Sequence, residues 1–144
     1  MLGQTPAPAR GWRVEADRVG EWIPVPAPGK VTVVDFWSTF CEPCTKAMPE
    51  LERLWRASDP AEVQIVGVAV DDEPGAVRQM LPSLGVTFPM VIDSAEILSG
   101  LYKVGGSVPA TFVIDRQGRL RFFSGGGDGD VDRVGEAVRA LAAE

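Results

Sequence analysis

The feature that most constrains this chain is an apolar run that leads into a pair of cysteines and is followed by a helical pattern. Val31–Trp37 is nearly continuous in apolar and β-branched residues, which is typical of a central strand buried on both faces. Glu42–Ala57 has helical spacing, and Pro43 fits the first helical turn, where no N–H bond is lost. The sequence therefore predicts a strand, a short turn and a helix, with Cys41 and Cys44 at the turn.

These two cysteines are the only ones in the chain. A position just before a helix places them where free backbone N–H groups point outward and the helix dipole is positive. A thiolate is an anion, so we expect the pKa of the Cys41 thiol to be lowered. A bridge between Cys41 and Cys44 would constrain little of the unfolded chain, and two thiolates without any histidine do not complete a zinc site. The pair indicates redox chemistry.

Composition excludes other classes of function. The net charge of −6, without a cluster of Lys or Arg, argues against a nucleic-acid partner. No apolar run approaches the roughly 18–20 residues that a membrane span needs. We expect no metal and no cofactor beyond the cysteine pair itself.

The length of 144 residues suits one domain, which we predict at residues 11–144. It follows a Pro- and Ala-rich tail at residues 1–10 that we expect to be mobile.

The rest of the chain alternates between strand and helix patterns. Residues 12–25 suggest short strands paired as a hairpin, and residues 63–70 a second buried strand. A helix is predicted from about Pro74 to Leu84, closed by Gly85. Further strands are predicted at 90–93, 110–115 and 119–124, and further helices at 94–102 and 131–143. This order indicates a mixed central sheet flanked by helices, an α/β fold.

Several segments resemble a known superfamily. The stretch from Asp35 to Cys44, D-F-W-S-T-F-C-E-P-C, resembles the active site of thioredoxins. Four further segments resemble the TlpA/ResA-type branch, which is related to the AhpC/TSA redoxins. They are Gly29-Lys30, Met48-Pro49-Glu50, Gly85–Pro89, and Val108–Asp115 with Gly118. The resemblance covers roughly Trp12 to the C-terminus. It implies a thioredoxin fold with an N-terminal β-hairpin extension and the activity of a thiol–disulfide oxidoreductase.

The resemblance also implies roles for four residues. Cys41 is the nucleophile that attacks a partner disulfide, and Cys44 resolves the resulting mixed disulfide. Pro109 resembles the cis-proline that faces the cysteine pair and can present backbone groups to an extended substrate segment. Asp35 matches the buried aspartate that is proposed in the family to accept the proton of Cys44 through water. The simpler interpretation is an acid satisfied by backbone hydrogen bonds.

Residues around Cys41 are expected to contact a partner protein. An exposed apolar rim is predicted from Trp37, Phe40, Pro43, Val108 and Pro109. Glu42 has two interpretations: its charge raises the pKa of the Cys41 thiol and makes the pair more reducing, or it is only a favourable charge in the first helical turn.

Two acidic segments need separate interpretations. An acid near the active site in the TlpA/ResA branch would correspond to Asp72 or Glu73, but a solvated loop is the simpler interpretation. The run that begins at Asp128, with Asp130 and Asp132, starts like a calcium loop. It has Arg where such a loop needs Gly and Glu, so we interpret it as a turn followed by a helix start.

The Cys-Glu-Pro-Cys motif resembles that of ResA-type proteins and implies a reductase of protein disulfides, with cytochrome c maturation as the specific hypothesis. The alternatives are a general disulfide oxidase or isomerase, a copper-handling protein, and a redox-inert binding module on the same fold. We expect protein disulfide or dithiol partners, an upstream redox donor and a monomer. Residues 1–10 do not resemble a signal peptide, so the location is either extracytoplasmic, for example periplasmic, with a leader or anchor removed, or cytoplasmic.

Overall fold

The computed structural model describes residues 12–15, 22–70, 73–92, 102, 104 and 107–144. The described strands are β1 (Trp12–Glu15), β2 (Trp22–Val25), β3 (Val31–Trp37), β4 (Val63–Ala69), β5 (Met90–Ile92), β6 (Ala110–Ile114) and β7 (Leu120–Ser124). The described helices are α1 (Glu42–Ala57), α2 (Pro74–Leu84) and α3 (Asp130–Ala142). None of these helices combines the length with the apolar character that a bilayer-spanning helix needs.

The strands form two sheets. β1 and β2 pair antiparallel as a separate two-stranded sheet, which confirms the predicted N-terminal hairpin. The larger sheet has the order β5-β4-β3-β6-β7, with β4 parallel to β3 and to β5, and β6 antiparallel to β3 and to β7. Every side chain of β3 is buried, as its apolar, β-branched sequence predicts for a central strand. The expected mixed α/β sheet is therefore confirmed.

The two faces of the sheet carry separate cores, because side chains alternate along a strand. Val34 and Phe36 of β3 belong to a cluster in which Phe36, Tyr102 and Phe112 make ring contacts. The other face packs against α1 and α3, and its cluster includes Val33, Trp37, Cys44, Met48, Val134 and Val138. Asp35 lies between Val33 and Trp37 in the alternation and therefore points to the face that α1 and α3 cover.

One row of paired residues crosses the whole sheet at the level of Asp35. Asp35 pairs with Gly67 of β4 and with Thr111 of β6, Gly67 pairs with Met90, and Thr111 pairs with Ser124. A Cβ atom at position 67 would collide with Sδ of Met90, so the thioether of Met90 occupies the space over this glycine. The row therefore changes from apolar at β5 to polar at Asp35, Thr111 and Ser124.

The observed boundaries follow the predicted ones closely. Helix α2 begins at Pro74 and ends before Gly85, which has φ +67 and so adopts the left-handed conformation that glycine tolerates. The predicted helix at 94–102, except for Tyr102, and the predicted tail at 1–10 lie outside the described residues. The Val25–Pro26 peptide bond is cis, which the sequence does not predict.

A buried carboxylate joins α1 to the segment that follows α2. Glu52 is only 6% exposed and accepts hydrogen bonds from Thr87 N (2.7 Å), Thr87 Oγ1 (2.6 Å) and Arg56 Nε (2.7 Å). Burial favours the neutral acid, but the bonds from Thr87 and the adjacent Arg56 guanidinium outweigh it, so the pKa of Glu52 is lowered. The ionised form of Glu52 thus holds these two segments together.

Replacing Glu52 by alanine is expected to lower the free energy of unfolding by about 2–3 kcal/mol, because charge-assisted bonds are lost and the partners of the carboxylate are left partly buried. Chemical denaturation at pH 7 measures the change. Glu50→Ala is the matched control, since Glu50 is an exposed acid on the same helix. Equal effects from the two substitutions would show that the hydrogen bonds of Glu52 add nothing.

Candidate active site

The two cysteines form a disulfide at the N-terminus of α1. Cys41 is the N-cap residue, and its Sγ accepts a hydrogen bond from Cys44 N at 3.2 Å. Pro43 lies in the first turn, as predicted. A thiolate on Cys41 would be stabilised by that N–H group and by the positive end of the helix dipole. The local sequence thus places Cys41 where its thiolate would be stabilised once the disulfide is reduced.

The two sulfur positions differ in their access to solvent. Cys41 is partly exposed, whereas Cys44 is only 1% exposed and packs in the core on the buried side of α1. The near neighbours of Cys41 in the sequence, Phe40, Glu42 and Pro43, are all exposed, with Phe40 at 87%. An incoming protein sulfur could therefore approach Cys41 but not Cys44.

The prediction that Trp37 belongs to an exposed apolar rim around Cys41 is wrong. Trp37 is fully buried and packs in the same cluster as Cys44 and Met48. The reason is the strand alternation, which turns Trp37 inward on the same face as Val33. Its side chain is therefore not part of an exposed surface, and the surface near Cys41 is apolar mainly through Phe40 and the neighbouring prolines.

The loop before β6 reaches the same end of the sheet as the cysteines. Ala110 pairs with Phe36 at the end of β3, so Val108 and Pro109 lie beyond that pair, at the edge where the chain turns towards Cys41. Both residues are partly exposed, and the Val108–Pro109 peptide bond is cis. Val108 packs against the cluster on each face of the sheet. The register therefore places this loop at the same end of the sheet as the disulfide.

The ring of Pro109 packs closely against the backbone of Gly126. Gly126 has φ +99, and a Cβ atom there would lie 2.6 Å from Cγ of Pro109. Real Cβ atoms do not approach a neighbour so closely, so the ring of Pro109 fits only against a residue without a side chain. Sequence reasoning missed Gly126, because three consecutive glycines offer no local signal that distinguishes the one in contact.

Asp35 is a buried acid with incomplete hydrogen bonding. It is 3% exposed; Oδ1 accepts a bond from Thr111 Oγ1 at 2.9 Å, and Oδ2 has no partner among the described residues. Burial raises the pKa of Asp35 to about 7, the bond from Thr111 opposes this rise, and the charge of Asp130 adds to it. Its one described partner is a side chain, not the backbone partners of the simpler interpretation.

The other acidic candidates occupy different positions. Glu73 is exposed at the start of α2 and makes no side-chain cap bond, and Asp72 lies outside the described residues. Asp128 is exposed, whereas Asp130 is buried at the first turn of α3. Within the described ranges, no group of three or more His, Cys, Asp or Glu residues is placed to hold a metal ion. The burial of Asp130 was not predicted, since an acid at a helix start normally faces water.

This sheet topology, with a disulfide at the N-terminus of the helix that follows the central strand, defines a thioredoxin-like protein. The chain belongs to the AhpC/TSA family, which matches residues 24–123. It is 34% identical over 92 residues to the thiol–disulfide oxidoreductase ResA of Bacillus thuringiensis (strain Al Hakam), covering 64% of this chain and 53% of ResA. The ResA of Bacillus subtilis (strain 168) is 35% identical over 92 residues, covering 64% and 51%. The chain thus spans about half the length of these relatives.

Solved structures confirm the fold. StoA of Bacillus subtilis superposes with a TM-score of 0.78 at 25% identity, covering 91% of this chain and 98% of StoA. A thiol:disulfide interchange protein of the thioredoxin family from Chlorobium tepidum TLS gives a TM-score of 0.81 at 21% identity, covering 96% and 98%. The predicted thioredoxin fold and the predicted family are both confirmed.

Proposed function

We propose that this protein is a thiol–disulfide oxidoreductase that exchanges disulfides with protein partners through Cys41 and Cys44. The observation that carries the proposal is the unequal exposure of the two sulfurs at a helix N-terminus. Cys41 is partly exposed and accepts an N–H bond, whereas Cys44 is buried one helical turn away. One sulfur is thus placed for attack on a partner, and the other for attack on the first.

The first step is nucleophilic attack by the Cys41 thiolate on a partner disulfide. A bond forms between Sγ of Cys41 and one partner sulfur, the partner disulfide breaks, and its second sulfur leaves as a thiolate. In the reduced protein the N–H group of Cys44 is placed to stabilise the Cys41 thiolate before attack. Phe40, Pro43 and the loop at Val108–Pro109 are proposed to bind the partner chain around the reacting sulfurs.

The second step releases the reduced partner. The thiol of Cys44 gives its proton to Asp35, and the resulting thiolate attacks Sγ of Cys41, which expels the partner sulfur as a thiolate. Asp35 lies on the face of the sheet against which Cys44 packs, and its raised pKa suits a group that accepts a proton near neutral pH. The protein is left as the Cys41–Cys44 disulfide, and two electrons from an upstream donor restore the dithiol.

The direction of exchange is proposed to be reduction of the partner. The support is the Cys-Glu-Pro-Cys motif and the similarity to ResA, and the specific hypothesis is reduction of the apocytochrome c disulfide during cytochrome c maturation. A negative charge at Glu42 would disfavour the thiolate of Cys41 and favour donation of electrons. The competing direction is that of a general oxidase or isomerase.

The midpoint potential of the cysteine couple tests this proposal. We expect a reversible two-electron transition near or below about −230 mV in thiol buffers, followed by tryptophan fluorescence because Trp37 packs near Cys44. A value between about −120 and −180 mV would place the protein with oxidants and isomerases and contradict the reductase direction. Absence of a reversible transition would contradict the oxidoreductase activity itself.

Glu42→Gln should raise the midpoint potential of the cysteine couple. An unchanged potential would leave Glu42 as a favourable charge at the helix start only.

Gly126→Ala is expected to slow exchange with a protein disulfide by about ten- to a hundredfold, because the new Cβ displaces Pro109 from the partner-binding surface. Insulin reduction measures the rate. Gly127→Ala is the matched control: residue 127 also has a positive φ, at +123, but a Cβ there meets nothing within 4 Å. Both variants should lose about 1–2 kcal/mol of stability from backbone strain. Equal rates for the two would remove the Pro109 contact from the mechanism.

We also propose that the protein acts outside the cytoplasm, as a monomer, on extracytoplasmic partner proteins. The support is its resemblance to the TlpA/ResA branch. A maleimide that does not cross membranes should label reduced Cys41 in intact cells of the native host as fully as after lysis of the cytoplasmic membrane. Labelling only after lysis would place the protein in the cytoplasm.

A further inference from the structure

The start of α3 places a second buried carboxyl group on the face of the sheet that carries Asp35. Asp130 is 9% exposed and is the first residue of α3, one turn before Val134 and two turns before Val138. All three are buried, so they share one side of the helix. Val134 and Val138 pack in the cluster that also holds Val33, Trp37 and Cys44. The side of α3 that carries Asp130 therefore faces the same core as Asp35.

A short connection places Asp130 near the level of Asp35 along the strands. Ser124 ends β7 in the same row as Thr111 and Asp35. From there the loop at residues 125–129 turns back at once: Gly126 N donates to Ser124 Oγ at 3.3 Å, and Asp130 N donates to the carbonyl oxygen of Gly127 at 3.1 Å. The chain therefore enters α3 close to the polar end of the row that contains Asp35.

Few other ionisable groups face Asp35 in the described part of the chain. β6 contributes Thr111, β4 contributes Gly67, and β5 contributes the thioether of Met90. α1 contributes Cys44, which carries no charge in the disulfide. Glu52, a buried acid on the same helix, is hydrogen-bonded to Thr87 instead. In the described part of the chain, Asp130 is the charged side chain that acts on Asp35 when the disulfide is formed, and Arg133 is its neighbour on α3.

Asp130 is only partly neutralised by its neighbour. Oδ1 of Asp130 has no hydrogen-bond partner among the described residues and lies 3.6 Å from Nη2 of Arg133, an ion pair too long for a hydrogen bond. Burial raises the pKa of Asp130, and the charge of Arg133 opposes that rise. The charge of Asp130 in turn adds to the rise in the pKa of Asp35, second to burial among the effects that raise it.

We propose that Asp130 is a positioning residue of the redox site: its carboxylate acts on Asp35 by charge repulsion, so that Asp35 takes up the Cys44 proton more readily, and Arg133 moderates the repulsion. This inference rests on the proposed function for its catalytic meaning. The electrostatic link between the two acids is a separate property of the folded protein. The link can therefore be measured without turnover.

Titration of the Asp35 carboxyl carbon in the oxidised, ¹³C-aspartate-labelled protein, with the signal assigned from Asp35→Asn, tests the link. We expect Asp130→Asn to lower the midpoint of Asp35 by about half a pH unit or more, and Arg133→Gln to raise it. Asp132→Asn is the matched control, because Asp132 is an exposed acid in the same helical turn. Asp130→Glu, which keeps the charge, should retain most of the wild-type midpoint.

The same shifts should appear in the pH dependence of mixed-disulfide resolution, measured in single turnover. Equal midpoint shifts for Asp130→Asn and Asp132→Asn, or none for either, would overturn the proposal, since a general change of net charge would then explain the data. If Asp130→Asn does not fold, an Asp35 midpoint unmoved by Arg133→Gln overturns it. If the midpoints shift but no variant or wild-type protein turns over disulfides, the proposed function fails and the electrostatic link stands alone.

Discussion

Replacing Cys44 by serine is expected to stop disulfide exchange after its first step and leave the partner attached to Cys41. The buried Cys44 is the sulfur that would release the partner, and serine cannot form the new disulfide. Turnover should fall by about a thousandfold or more, as expected when a nucleophile is removed. Insulin reduction measures the loss of turnover, and mass spectrometry measures the mixed disulfide with a small aromatic disulfide as probe.

Cys41→Ser is the control for the identity of the attacking sulfur. It should lose turnover to the same extent but form no adduct with the probe, because the remaining thiol of Cys44 is 1% exposed and packed beneath α1. Rapid adduct formation on Cys44 in this variant would show that the exposure of the two sulfurs does not decide their roles. The order of attack proposed above would then be wrong.

The strand, turn and helix around the cysteines were predictable because each signal is local. The β-branched run of β3, the proline in the first turn of α1 and the spacing of apolar residues on that helix act within a few residues of one another. The sheet followed from the alternation of such segments. The cysteine pair, together with the segments that resemble a known branch, identified the site.

The orientation of individual side chains in the site depends on contacts between distant segments. Trp37 was predicted at the surface, but the alternation along β3 turns it into the core. Thr111 bonds to Asp35 only because β6 pairs with β3 in one particular register, over a separation of 76 residues. The contact of Gly126 with Pro109 is likewise set by where the last loop returns to the sheet. The position of Trp37 follows from the alternation along its strand, but no local spacing or turn preference encodes the contact of Gly126 with Pro109.

The pairing of Asp35 with Thr111 was nevertheless within reach of the sequence. Once β3 and β6 are assigned as antiparallel neighbours, aligning the buried residues of each strand restricts the register, and the polar residues at 35 and 111 become natural partners. The burial of Asp130 was not within reach, because an acid in the first turn of a helix is favourable at the surface as well. Its position depends on how α3 docks against the sheet.

Asp35→Asn is expected to remove a large part of the pH dependence of stability of the oxidised protein. The folded protein holds the Asp35 proton with a pKa of about 7, against an ordinary value of 3.8 for an aspartate. Because the folded state binds this proton more tightly than the unfolded chain does, Asp35 does not lower the free energy of unfolding below about pH 4. The free energy of unfolding then falls as the pH rises from about 4 to about 7. The loss amounts to about 4 kcal/mol, or about 1.4 kcal/mol for each unit of difference.

The comparison with the asparagine variant separates the contribution of Asp35, including its repulsion with Asp130, from that of Glu52, whose pKa also differs from its usual range. The amide oxygen can still accept the bond from Thr111, but the amide N–H₂ group replaces an oxygen without a described partner and costs about 1–2 kcal/mol. The variant should therefore be less stable than wild type at pH 4 and more stable at pH 8. Denaturation curves at both pH values measure the reversal. Parallel stability–pH curves for the two proteins would mean that Asp35 ionises in the folded state as it does in the unfolded chain, and the acid could not then serve as a base matched to Cys44 near neutral pH.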